Sequence, residues 1–311
     1  MAGKRKRSGF ARRVKHAIEY ALLRLVLFLL TLLPVSASMW VARRLGDFAF
    51  DIVRLRRQVT LENLERALGS ETSAGERRRI ARACYRNMGM TFIELTLLGP
   101  RGIDALAERV RLIGTQHCAA AAREGKGVIY LTAHVGSWEV SAAATSLVDR
   151  PLTVVFAEQR NRFVDRYVRR SRERLGLVMI PVGFGLRGMM RALQAGSPIG
   201  IAGDQDAGPE GLPIPFLGRD ASTAVGPARM AYRTGAPIVI ALDRHLGGGR
   251  HEIAYFPCIH ADRTRPEEEE TRRILGEYAR TLEEFVRRHP EQYFWMHRRW
   301  KTVFAKVGEE R

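Results

Sequence analysis

Gly127-Val128-Ile129-Tyr130-Leu131-Thr132-Ala133-His134-Val135-Gly136-Ser137-Trp138-Glu139 is the stretch that decides the fold. Val128 to Leu131 form a short apolar, β-rich run. The chain then enters a turn containing Gly136, and a helix starts. Similar runs occupy residues 152–156, 178–182, 199–202 and 238–241, with helical stretches of about 10 to 20 residues between the first four. Strands alternating with helices imply an α/β fold: a mostly parallel sheet flanked by helices on both faces. Upstream, residues 46–126 read as helical. Residues 58–68 carry apolar positions at helical spacing, and Thr72 or Ser73 caps a helix running through residues 77–90 toward Leu98. A last helix, about 266–288, leads to the aromatic tail Tyr293-Phe294-Trp295.

In such sheets, sites form at the carboxyl ends of strands, where His134 stands. Glu139 follows five residues on. If His134 lies in the turn and the helix begins after it, Glu139 can accept the Nδ1 proton and leave Nε2 free as a general base. No GxSxG elbow supplies a serine nucleophile, so the pair suits direct attack by a substrate hydroxyl. The alternative for a single histidine is a helix cap or a core position. A second polar cluster, Gly203-Asp204-Gln205-Asp206-Ala207-Gly208, follows the run at 199–202. Its carboxylates suit Mg²⁺, an arginine partner, or plain capping. Gly183-Phe184-Gly185-Leu186-Arg187-Gly188 matches GxGxxG but does not open the fold, and reads as a tight helix entry rather than a dinucleotide site. The eight histidines form no HExxH and no Cys/His ligand pairs, so neither metal nor cofactor is expected. Cys84, Cys118 and Cys258 are too scattered for a disulfide framework.

The net charge is +18, from 51 Lys and Arg against 33 Asp and Glu, over 311 residues. A surplus of this size attracts polyanions: nucleic acid, anionic headgroups or phosphorylated glycolipids. Much of it also fits a general arginine richness. Lys4, Arg5, Lys6, Arg7, Arg12, Arg13 and Lys15 lead the chain with no acid among them, and residues 25–42 carry no charge. This predicts a basic leader and membrane-associated helix over 1–45, either a single span or an interfacial helix, ahead of one domain over 46–311. A span would keep the leader in the cytoplasm.

At these residues the chain resembles the late, or secondary, lipid A biosynthesis acyltransferases, a family that includes the mycobacterial phosphatidylinositol mannoside acyltransferases. The likeness runs from Arg57–Leu68, with its Asn63-Leu64 pair, through Glu94, HVGSWE, the block from Glu158 to Gly176, and GDQDAGPEGLPIPFLG, to the closing His289–Trp300. The resemblance implies an O-acyltransferase at the inner membrane, its catalytic domain facing the cytoplasm. It implies acyl carrier protein or acyl-CoA as donor, a glycolipid acceptor, membrane lipids as partners, and no nucleic acid. It also implies His134 as base with Glu139 as its partner, and substrate contacts from Glu158, Arg160, Arg172, Asp204, Asp206, Arg298 and Arg299. Backbone N–H groups after Gly136 are expected to hold the oxyanion. The sequence departs at Pro215-Phe216-Leu217-Gly218, where Phe-Phe-Gly is common, and at Ala157-Glu158, which is closer to the mannoside branch. Two other readings remain: a non-catalytic basic surface protein, and a hydrolase using the same histidine on a lipid ester.

Overall fold

Buried parallel strands need apolar side chains on both faces, and the five apolar runs supply them. The computed structural model describes residues 2–98, 102–149, 151–156, 158–181 and 185–304, with backbone alone for 2–11, 95, 96, 98 and 102. The runs become β2 (Ile129–Thr132), β3 (Leu152–Phe156), β4 (Leu177–Pro181), β5 (Ile199–Ala202) and β8 (Ile238–Gly247). With β1 (Val110–Ile113) and β9 (Arg250–Tyr255) they form one sheet in the order β1-β9-β8-β2-β5-β3-β4. The five are mutually parallel; β9 runs antiparallel to β8, and β1 runs parallel to β9. A separate hairpin joins β6 (Leu212–Phe216) to β7 (Arg219–Thr223). The fold is therefore mixed α/β, with a mostly parallel sheet between helices. Val182, the end of one expected strand, and Gly183-Phe184 of the glycine-rich match lie outside the described residues.

The pleat of β2 divides the core. Ile129 and Leu131 face a layer with Ile274, Tyr278 and Trp295, whereas Val128 and Tyr130 face Val140, Ala143 and Ala144. The first layer contains α11 (Glu267–Arg288) and the second α7 (Trp138–Val148). Upstream come α3 (Arg57–Leu68) and α4 (Ala74–Leu98). Ser73 is the cap of α4: its hydroxyl accepts from Glu76 N–H at 3.2 Å, and the Glu76 carboxylate returns the contact to Ser73 N–H at 3.4 Å.

The N-terminus corrects the expectation of a single span. Its uncharged stretch is divided between α1 (Ala2–Thr31) and α2 (Val35–Phe48), because the chain turns and Pro34 starts a new helix. Among the described residues no helix is long and apolar enough to cross a membrane. α1 and α2 bury Leu27, Leu30, Met39 and Ala42 against Met90, Ile93 and Leu97 of α4. They leave Leu22, Leu25, Phe28, Leu29 and Trp40 exposed.

Candidate active site

β2 and β5 are neighbours in parallel register, Thr132 opposite Ala202. The turns that follow them therefore emerge side by side, and they carry His134 and Asp204. His134 Nδ1 lies 2.8 Å from Asp204 Oδ1. This corrects the assignment of Glu139 as the Nδ1 partner. Because α7 begins at Trp138, Glu139 sits in its first turn and faces α8 (Arg162–Arg174) instead. There its carboxylate takes both Arg172 Nε, at 3.0 Å, and Arg172 Nη2, at 2.5 Å. This bidentate geometry is the strong form of the pair.

Burial alone would lower the His134 pKa. The charge and hydrogen bond of Asp204, with a further contribution from the Glu139 charge, outweigh it and raise the pKa above 6.5. Burial likewise pushes Asp204 up, but the charge and hydrogen bond of His134 hold it below the usual carboxylate range. The second ring nitrogen, Nε2, has Gln205 Nε2 3.3 Å away. Trp138 and Phe294 stand at 4.9 and 6.1 Å from the imidazole, centroid to centroid.

Gly136 makes the turn. Its φ is +53°, and a Cβ there would meet Asp243 O and Oδ2 at 2.5 Å. Gly136 N–H donates to Gln292 O at 2.9 Å and Ser137 N–H to Asp243 Oδ2 at 2.5 Å. Gly136 and Ser137 N–H are thus both spent within the fold. The closing segment braces the turn from the other side, with Phe294 N–H on His134 O at 2.9 Å. Asn63 in turn clamps that segment, donating to Trp295 O at 2.9 Å and His297 O at 2.6 Å. The Asn63-Leu64 pair and the aromatic tail are thus one structural unit behind the histidine.

A cleft of about 310 Å³ opens at His134 and runs between α7 and the sheet. Trp138, Glu139, Gln159 and Arg172 contribute to its polar wall, while Val154, Leu152 and Leu177 belong to its apolar wall. Glu158 and Arg160 flank Gln159 and are exposed, as is Arg298. Two expected substrate contacts are instead engaged by other parts of the chain. Arg299 is 4% exposed and spends its terminal nitrogens on Ser222 O, at 2.5 Å, and Thr223 Oγ1, at 2.9 Å. Asp206 accepts from Gly208 N–H and from both the N–H and the hydroxyl of Thr302. Neither lines the cleft; Asp206 ties the 204–208 loop to Thr302, and Arg299 ties β7 to the closing segment. The sequence alone did not mark Gln205, Trp138 and Phe294 as parts of the site; their only signal was position within the HVGSWE, GDQDAG and closing motifs.

The model of the bacterial lipid A biosynthesis acyltransferase family matches residues 7–302. The chain belongs to this family. It is 25% identical over 287 residues to a lipid A biosynthesis palmitoleoyltransferase of Escherichia coli K12, covering 91% of this chain and 90% of the relative. It is 25% identical over 281 residues to the lipid A biosynthesis lauroyltransferase of the same organism, covering 89% of each. A phosphatidylinositol mannoside acyltransferase of Mycolicibacterium smegmatis is 26% identical over 137 residues, 43% of this chain and 45% of the relative. The protein is an acyltransferase of the lipid A biosynthesis family, and the His134 cleft is its candidate catalytic site.

Proposed function

We propose that the enzyme transfers a fatty acyl chain from an acyl thioester, carried by acyl carrier protein or CoA, to a hydroxyl of a lipid A precursor. The observation that carries this reading is a histidine whose Nδ1 is held by a buried carboxylate beside a cleft with one polar and one apolar wall. The acyl chain lies in the cleft, gaining about 0.8 kcal/mol per buried methylene. The thioester carbonyl then sits near His134 Nε2, and the acceptor hydroxyl displaces the Gln205 amide from that nitrogen. As the hydroxyl oxygen attacks the carbonyl, its proton passes to Nε2, and Asp204 stabilises the imidazolium. Collapse of the tetrahedral intermediate expels the thiolate, which takes the proton back as a thiol. The displaced Gln205 amide is a donor for the oxyanion. Glu139 and Arg172 fix the rim of the cleft, and Glu158, Arg160 and Arg298 are exposed polar groups for the phosphorylated acceptor.

The lipid A branch is preferred because the two Escherichia coli relatives align over about nine-tenths of both chains, against less than half for the mannoside relative. We further propose that residues 1–45 lie on the inner membrane, with basic residues on anionic headgroups and the exposed Leu22, Leu25, Phe28 and Trp40 in the acyl region. The catalytic domain, 46–311, then faces the cytoplasm, where donor thioesters are made. The test offers detergent-purified enzyme an acyl carrier protein thioester or an acyl-CoA, each with a tetra-acylated lipid A precursor, with a phosphatidylinositol mannoside, or with water alone. Acylated lipid A precursor is the expected product. Free fatty acid regardless of acceptor would instead mean a hydrolase.

A further inference from the structure

Behind the catalytic turn lies a second cluster of titratable groups with no part in the reaction above. His245 and His251 are cross-strand partners in the β8–β9 hairpin, so the two imidazoles leave the sheet on one face. Their centroids are 4.6 Å apart. Glu94, from α4, reaches the same place: its Oε1 is 3.0 Å from His251 Nε2 and 3.5 Å from His245 Nδ1. The Glu94, His245 and His251 side chains are 2%, 4% and 0% exposed. One donor atom from each lies within 4.8 Å of the others. Glu94 Oε2 and His245 Nε2 are buried with no hydrogen-bond partner.

We infer that Glu94, His245 and His251 form a binding site for one divalent transition-metal ion, of which Zn²⁺ is the type. Ligands about 2.0 to 2.2 Å from zinc in a tetrahedron stand about 3.3 to 3.5 Å apart. Both Glu94 distances are within a few tenths of an ångström of that. Asp243 settles the tautomer. It is fully buried, and both its oxygens lie 3.1 Å from His251 Nδ1, so Nδ1 carries the proton. His251 Nε2 then turns a lone pair toward the Glu94 carboxylate, and a positive charge must lie between them. A proton there serves His251 alone. It leaves two buried carboxylates, Glu94 and Asp243, against one charge. A divalent ion engages all three side chains and balances Glu94 and Asp243 together, with Asp243 orienting a ligating histidine from behind. Two imidazoles and one carboxylate suit zinc, cobalt or nickel better than magnesium or calcium.

The position gives the ion a structural task. Asp243 also accepts Ser137 N–H, and Thr91 of α4 donates to Gly136 O at 3.1 Å. An ion joining α4 to the hairpin therefore secures the turn that presents His134, without touching substrate.

The experiment measures metal content by plasma mass spectrometry on full-length enzyme, purified in detergent without chelator or a polyhistidine tag from zinc-supplemented cells. About one ion per chain is expected. His245→Ala keeps the Glu94–His251–Asp243 contacts and should stay folded by circular dichroism while its metal falls to background. Chelation should lower the Tm of the parent enzyme, and Zn²⁺ alone should restore it; the variant should respond to neither. Co²⁺-loaded enzyme should show visible d–d bands that His245→Ala lacks. Background metal in the parent enzyme, equal metal in both proteins, or a Tm indifferent to Zn²⁺ would each overturn the site and leave a protonated His251 as the bridge. None of these readouts depends on acyl transfer.

Discussion

Asp204→Asn isolates the step on which the mechanism depends. The side chain keeps its size and its buried place 2.8 Å from His134 Nδ1, but loses its charge. A hydrogen bond to a charged group contributes about 1.5 to 3 kcal/mol. Losing it as the imidazolium forms should therefore slow turnover by about 10- to 150-fold. An asparagine that turns its NH₂ toward Nδ1 also imposes the wrong tautomer, a defect that costs on the order of 10⁴ in the serine protease triad. The expected loss in kcat/KM thus lies between about tenfold and 10⁴-fold, with little change in KM for the donor, because Asp204 does not line the cleft. The assay is initial-rate acyl transfer at several pH values, with circular dichroism to confirm the fold. A variant within about threefold of the parent enzyme, less than 1 kcal/mol, would refute Asp204 as the group that orients the base.

Three further outcomes follow from the same geometry. A general base works when deprotonated, so the acid limb of kcat/KM should lie above pH 6.5, where His134 has been raised. Glu139→Gln removes one of the charges that raises it and should move that limb to lower pH; a limb that stays or rises contradicts the electrostatics. Gly200 lies on the cleft wall, and a Cβ there would stand 3.1 Å from Val154 Cγ1 and 3.4 Å from Leu152 Cδ2. Gly200→Val should shift preference toward donors about two carbons shorter, by roughly 15-fold at about 0.8 kcal/mol per methylene. An unchanged chain-length profile would mean that the acyl chain lies elsewhere. Reversing Arg12, Arg13 and Lys15 to Glu should weaken binding to anionic vesicles by on the order of 100-fold at low salt, at about 1 kcal/mol per basic residue. Binding to neutral vesicles should be unaffected, and equal loss on both would point to damaged folding instead.

The strands that were legible in sequence are those built on short apolar runs. β2, β4, β5 and β8 begin as apolar runs, and β3 interrupts its run only at Thr153. β9, Arg-His-Glu-Ile-Ala-Tyr, is not such a run, because its buried partners include the carboxylates that face His251. β1 is a short edge strand with alternate residues half-buried, which a helical reading absorbs easily. His134 was legible because strand, turn and helix are contiguous. Its partner was not: Asp204 lies 70 positions away, and only the adjacency of β2 and β5 brings the two turns together. Strand order is a tertiary property that no local spacing records. For the same reason Glu139, near in sequence, looked like the partner, whereas its place in the first turn of α7 sends it to Arg172. Arg299 and Asp206 show the converse limit. The family resemblance suggested substrate, but Arg299 is buried against Ser222 and Thr223, and half-buried Asp206 is taken by Thr302. The Glu94, His245 and His251 cluster spans 157 positions and two different element types, so no ligand-spacing pattern could reveal it.

Everything proposed for the site turns on His134 acting as the base of an acyl transfer to a glycolipid. Its most direct test follows acylated lipid A precursor by mass spectrometry, using parent enzyme and His134→Ala at equal concentration with an acyl carrier protein thioester. The expected result is a product one acyl chain heavier from the parent enzyme, and a rate at least about 100-fold lower from a variant that remains folded, the usual contribution of a positioned base. A folded His134→Ala enzyme that forms this product within about tenfold of the parent rate would contradict it.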